Sequence, residues 1–150
     1  MIVRAALAAA SLVAALTTAG CAGAKEPSAP PTPTSADCKL KHPSHDVTSL
    51  KDLPAPIRAA LKAVAGDMAD RGAFFNGGDV LIKPAPFKRF IRGGETGGRW
   101  YVWYEHGGIA YWHQVVVFDA ATARVVSDVH SNDANLCAMT DLLIYGNQAP

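Results

Sequence analysis

Little in this 150-residue chain is charged, and the charges that exist nearly cancel. One of its 14 basic residues is Arg4; without it, basic and acidic residues are equal in number, which argues against a dedicated nucleic-acid binder. No second run of about twenty apolar residues follows the one at the N-terminus, so no further membrane span is expected. The patterns G-x-S-x-G, H-E-x-x-H and the P-loop are all missing, and the three cysteines form no CxxC. No cofactor and no metal site is therefore expected. Internal repeats are absent too.

What is present begins with Arg4, a run of Ala, Leu and Val, and then Leu16-Thr17-Thr18-Ala19-Gly20-Cys21. A positive start, a short apolar stretch and a small-residue site describe an export signal over residues 1–20 that is removed. Its end resembles the lipobox of bacterial lipoproteins, where two small residues, here Ala19 and Gly20, precede a cysteine that is cut in front of and acylated. Thr18 stands where that family usually has Leu, Val or Ile. The resemblance implies lipidation at Cys21 and an address in the cell envelope. Ala22 is not the Asp that retains such proteins at the inner membrane, so in a Gram-negative source the periplasmic face of the outer membrane is expected. An uncleaved N-terminal anchor is the alternative, and it too puts the rest of the chain outside the cytoplasm.

Residues 22–36 carry four prolines among small and polar neighbours. Such a stretch cannot build a core and favours an extended tether behind the lipidated Cys21. Residues 37–150 then have the size of one small domain. Cys38 lies near its start and Cys137 near its end, the only thiols left in an oxidising compartment once Cys21 is acylated. A Cys38–Cys137 disulfide is expected, with two free buried thiols as the alternative.

Within the domain, Ile57, Ala60, Leu61, Val64 and Met68 recur at three-and-four spacing and predict a helix over 53–71, stopped by Gly72. Strands are predicted at Asp79–Lys83, Phe87–Arg92, Trp100–Glu105, Ile109–Phe118 and Arg124–Val129. His106-Gly107-Gly108 reads as a hairpin turn, because Gly-Gly supplies the positive φ that tight turns require. Leu136–Tyr145 is a short helix or an edge strand. The expected fold class is α+β: one N-terminal helix on a curved antiparallel sheet of about four strands, similar in element order to cystatin-like folds.

The Arg99–Phe118 hairpin is apolar on both faces, and one helix cannot cover both. At least two of Tyr101, Trp103 and Trp112 are therefore expected to stay partly exposed, flanked by the basic residues Arg89, Arg92 and Arg99. These six residues are the candidate binding surface, for an envelope protein or polymer or for a second copy of the domain. The alternatives are that loops and the C-terminal segment shield the hairpin, and that the charges form ordinary solvated faces. Glu105, His113 and Arg99 raise the possibility of general acid–base chemistry in a small periplasmic hydrolase. A two-residue turn, however, places Glu105 and His113 on opposite faces. His42 and His45, three apart beside Cys38, read as a surface pair. The favoured function is a non-enzymatic, lipid-anchored envelope protein that binds a partner; the rivals are that hydrolase and an inhibitor of a secreted hydrolase.

Overall fold

The computed structural model describes residues 37–132 and 135–146; the signal segment, Cys21 and the proline-rich tether lie outside them. Five strands form one antiparallel sheet: β1 (His45–Val47), β2 (Lys88–Thr96), β3 (Arg99–His106), β4 (Trp112–Asp119) and β5 (Val125–Ser131). They lie side by side in chain order, an open meander. Helix α1 (Ala55–Ala65) follows β1, and helix α2 (Leu136–Tyr145) closes the domain. The fold is α+β, with five strands rather than four and two helices rather than one.

The second helix changes what the hairpin does. Helix α1 covers one sheet face, packing Ile57, Leu61 and Ala65 with Phe90, Trp100, Val102, Tyr104, Val116 and Phe118. Helix α2 covers the other, where Leu136 and Cys137 meet Ile91, Tyr101, Trp103, Val115 and Val117. A sheet covered on both sides needs apolar side chains on both, which accounts for the near-continuous aromatic and β-branched run of β3. The C-terminal segment was thus the missing cover. Trp103 and Tyr101 have no exposed surface at all, and their polar atoms are satisfied inside: the Trp103 indole N–H donates to Thr140 Oγ1 at 2.7 Å, and the Tyr101 hydroxyl donates to Asp46. Of the three aromatic residues expected at the surface, only Trp112 is partly exposed.

Helix α1 is shorter than its periodicity predicts. Gly66 takes φ of 73° and ends it, and the Lys88 ammonium reaches the Ala65 carbonyl. Met68 therefore lies beyond the helix, and Val64 faces solvent while Ile57, Leu61 and Ala65 hold the core at a spacing of four. Residues 79–83 are a loop, not a strand. Strand β1 was unforeseen; it pairs His45, Asp46 and Val47 with Glu95, Gly94 and Gly93. Strand β2 runs through those glycines because they make room: a Cβ on Gly94 would sit 2.7 Å from the Tyr101 hydroxyl.

The tight hairpin turn is Gly97-Gly98, with φ of 56° and 68°, directly between the paired Thr96 and Arg99. The β3–β4 connection is instead a loop spanning Gly107–Tyr111, and the register pairs His106 with Trp112, Glu105 with His113 and Trp103 with Val115. Glu105 and His113 consequently share a face, contrary to the two-residue-turn expectation. Cys38 and Cys137 are bonded, with sulfurs 2.06 Å and Cα atoms 6.0 Å apart, closing a sequence separation of 99.

Candidate functional site

One end of the sheet gathers the chemistry. The β2 start, the β3–β4 loop and the β5 end all lie there, as the register of the strands requires. On the α2 face of that end, Arg89, Glu105 and His113 follow one another across three neighbouring strands. Arg89 Nε donates to Glu105 Oε1 at 2.5 Å, and the Tyr111 hydroxyl donates to Glu105 Oε2 at 2.5 Å. His113 Nε2 is 3.4 Å from the Tyr111 oxygen, and its Nδ1 is buried without a hydrogen-bond partner among the described residues. The Phe75 ring lies against the guanidinium, 4.5 Å from Arg89 Cζ to the ring centroid.

Burial governs how this cluster ionises. Arg89 is fully buried and Glu105 is 2% exposed, so each is tolerated as an ion because the other is there. Burial also lowers the pKa of His113, outweighing the upward pull of the Glu105 charge, and keeps the imidazole neutral near pH 7. The Tyr111 hydroxyl is pushed up by burial and by its bond to Glu105, so it remains a donor. Both carboxylate oxygens are thus taken, and the arrangement buttresses the 107–111 loop rather than presenting a free base.

A second device orders the neighbouring loop. Buried Asn76 receives the Ile82 amide on Oδ1 at 2.8 Å, and its Nδ2 donates to the Ala85 carbonyl at 2.6 Å. Its own amide donates to Pro86 O at 2.8 Å. One side chain therefore folds residues 77–85 back on themselves, as Asn does in turns. The two loops are locked together at Gly107, whose amide donates to Phe87 O at 2.7 Å. A Cβ there would meet the Asn76 carbonyl oxygen at 2.0 Å, so only glycine fits.

What these supports hold up is apolar and open to solvent. Ile109 is 97% exposed, Val80 71% and Leu81 51%, with Ile82, Phe87 and Tyr111 also exposed. Behind Ile109 a shallow groove of about 360 Å³ is lined by Phe87, His106, Gly107, Gly108, Ala110 and Trp112. The His106 and Trp112 rings stack, 4.0 Å apart and nearly parallel. Burial lowers the pKa of His106, overriding the Gly107 carbonyl bonded to its Nδ1, so the stack is neutral near pH 7. Trp112 Nε1 donates to Gln114 Oε1 at 3.1 Å, and Gln114 in turn bonds Asp128.

The basic residues expected beside the hairpin are committed elsewhere. Arg89 belongs to the buried cluster. Arg92 pairs with Asp46, donates to the Cys38 carbonyl at 2.8 Å and lies over the Trp103 ring. Arg99 bonds Asp119 at 2.5 Å at the opposite end of β3, well away from Glu105 in register. Thus Trp112 sits at the groove, Tyr101 and Trp103 are core, and the three arginines form no continuous edge. The His42 ring packs on Tyr145, and His45 is exposed in β1. No group of three or more His, Cys, Asp or Glu that could hold a metal ion occurs among the described residues, nor does any helix there have the length and apolarity to cross a membrane.

Asn76, Tyr111, Ile109 and the Val80-Leu81-Ile82 tip were not singled out from sequence. Asn76-Gly77-Gly78 and Lys83-Pro84-Ala85-Pro86 were the available signals, since such residues bracket loops rather than a strand. No protein-family model matches the chain, and no curated protein or solved structure matches it.

Proposed function

We propose that this is a lipid-anchored, non-enzymatic protein of the bacterial cell envelope whose domain binds through the loop end of its sheet. The observation that carries the reading is the exposed apolar tip, Val80-Leu81-Ile82 with Ile109, held in place by Asn76, Gly107 and the Arg89–Glu105–Tyr111 cluster. Exposed aliphatic side chains on loops this firmly braced favour contact with something other than water. The binding residues of this reading are Trp112, Phe87 and Ile109, in place of Tyr101 and Trp103. A homodimer built on Tyr101 and Trp103 loses its support, because neither reaches the surface.

Anchoring at Cys21 rests on the lipobox-type sequence, and the Cys38–Cys137 bond agrees with an oxidising compartment. Likeness to cystatin-like domains remains a proposal about element order alone. Intact-mass analysis of the native protein tests the anchor: a mature chain beginning at an acylated Cys21 supports it, and a chain without a lipid adduct sinks it. Hydrogen exchange on the native protein in isolated envelopes and after detergent release, for wild type and Ile109→Asp, tests the binding surface; loops 77–85 and 107–111 that exchange equally in every sample would refute it.

One observation favours the hydrolase reading enough to state it. Arg89, Glu105, Tyr111 and His113 do come together, through a register the sequence did not suggest. Against it, both carboxylate oxygens are already hydrogen-bonded and closed to solvent. Hydrolysis of any envelope polymer that is lost in Glu105→Gln while the fold is retained would reinstate it.

A further inference from the structure

We propose that the surface the loop end binds is the lipid bilayer itself, with Val80, Leu81, Ile82 and Ile109 entering the interfacial layer. The proposal rests on the lipid-anchored reading above and names the partner of that same site.

Three independent observations converge on it. The first is the order of side chains. Val80, Leu81, Ile82 and Ile109 are exposed aliphatic side chains; Phe87 and Trp112 line the groove beside Ile109, and the exposed Tyr111 follows in the same loop. Amphipathic rings beside an apolar tip match the polarity gradient of a bilayer surface, where Trp and Tyr settle at the headgroup level. Lys83 is exposed next to Ile82, where it can meet an anionic headgroup; Asp79 is the carboxylate in the same loop.

The second observation is where the chain enters the domain. Cys38 is tied to Cys137 in the first turn of α2, which follows the β5 end of the sheet, the end that carries both loops. From Cys38 the chain runs beside α2 towards β1, with the Lys41 amide on Asp141 and the His42 ring on Tyr145. The first described residue, Asp37, lies 3.9 Å from Arg71, two positions after the Ala69 bridge to Arg89 at that same end of the sheet.

Linker length is the third. Only 16 positions separate Cys21 from Asp37. Even fully extended as polyproline this spans about 50 Å, so an anchored domain stays within touching distance of its own membrane. At that effective concentration, weak insertion of two loop tips is enough to fix its orientation.

The test uses the native mature protein, purified from membranes and reconstituted into phosphatidylethanolamine–phosphatidylglycerol vesicles, with brominated acyl chains in a parallel set. Ile109→Trp places a fluorescent reporter at the tip, read as the difference from the wild-type protein because Trp100, Trp103 and Trp112 emit in both. Its emission is expected to shift to the blue on vesicles and to be quenched severalfold by the brominated lipid. Adding Val80→Asp and Leu81→Asp, both at exposed positions, should remove most of that quenching while the protein still sediments through its anchor. Sedimentation without quenching of the Ile109→Trp reporter overturns the proposal and leaves the anchor standing. Absence of an acyl group by intact mass overturns the anchor alone, because the same reporter still reads contact with added vesicles. Loss of quenching coupled to dimerisation, or to a co-purifying protein released by the Asp substitutions, assigns the surface to that occupant and rejects the bilayer.

Discussion

Glu105 and His113 stand directly opposite each other on neighbouring strands, yet it is Tyr111, from the loop between them, that touches both. The loop residue thereby completes the shell around a buried ion pair. Chemistry of this kind stabilises by satisfaction rather than by attraction, because ions taken from water recover their hydration only through full coordination.

Removing one ion of this pair should therefore be costly. Glu105→Ala leaves the Arg89 guanidinium buried and uncompensated, and is expected to destabilise by about 3–5 kcal/mol. Denaturant unfolding of the variant at neutral pH measures this. A loss under half a kcal/mol would show that the pair is not part of the structural frame.

The tryptophans should separate cleanly. Trp103→Ser empties a fully buried site and removes the donor to Thr140 Oγ1, which keeps its own bond to the Leu136 carbonyl, at a cost of about 3–5 kcal/mol by analogy with other large-to-small core changes. Trp112→Ser, partly exposed at the groove, should cost less, roughly 1–2 kcal/mol. Equal destabilisation of the two variants in thermal melts would contradict the burial assigned here.

Acid should weaken the fold through its histidines. Burial holds the pKa of His113 below 6.5 in the folded state, as it does for His106. The unfolded chain therefore takes up protons that the folded one refuses. The stability contribution is complete above about pH 6.5 and is lost as pH falls through the folded-state values. Asp46 and Asp70, whose pKa values lie below 3.8, lose their contributions only in more acid solution. Urea midpoints should drop between about pH 7.5 and about pH 5.5, and the drop should shrink in His113→Phe. Midpoints that stay constant across that range would rule the mechanism out.

Reduction should be felt across the whole domain. A bond closing nearly 100 residues stabilises by about 4–5 kcal/mol in the chain-entropy account, and Cys137→Ala should lose most of that. Non-reducing peptide mapping of exported protein that recovers both thiols free would disprove the bridge in the native protein.

The legible parts of the sequence were those fixed by local or simple rules. Ile57 and Leu61 declared a helix by period, Trp100–Glu105 declared a strand by composition, and two leftover cysteines declared a bridge. Register was not legible. Gly97-Gly98 makes the tight turn from β2 to β3, whereas Gly107-Gly108 opens a five-residue loop from β3 to β4, with Gly107 packed on Asn76, a residue 31 positions earlier. The length of that loop, which no local turn signal reveals, is what puts Glu105 opposite His113 on one face. Helix α2 was equally hidden: its apolar residues alone do not announce that they cover the second face of the sheet. Once they do, Tyr101 and Trp103 become interior, and the exposed apolar surface moves to loop tips whose sequence looked like a strand.

Because Cys38 and Cys137 bracket nearly every element of the fold, the polypeptide between them is topologically a ring. The exposed 77–85 loop is the kind of site a protease cuts first. A cut there would yield two chains on a reducing gel and one molecule in the cell. The N-terminal piece would stay attached at Cys38, and the sheet-bearing piece would be held to it at Cys137. Damage at the loops would thus leave the greater part of the domain tethered to whatever holds its N-terminus.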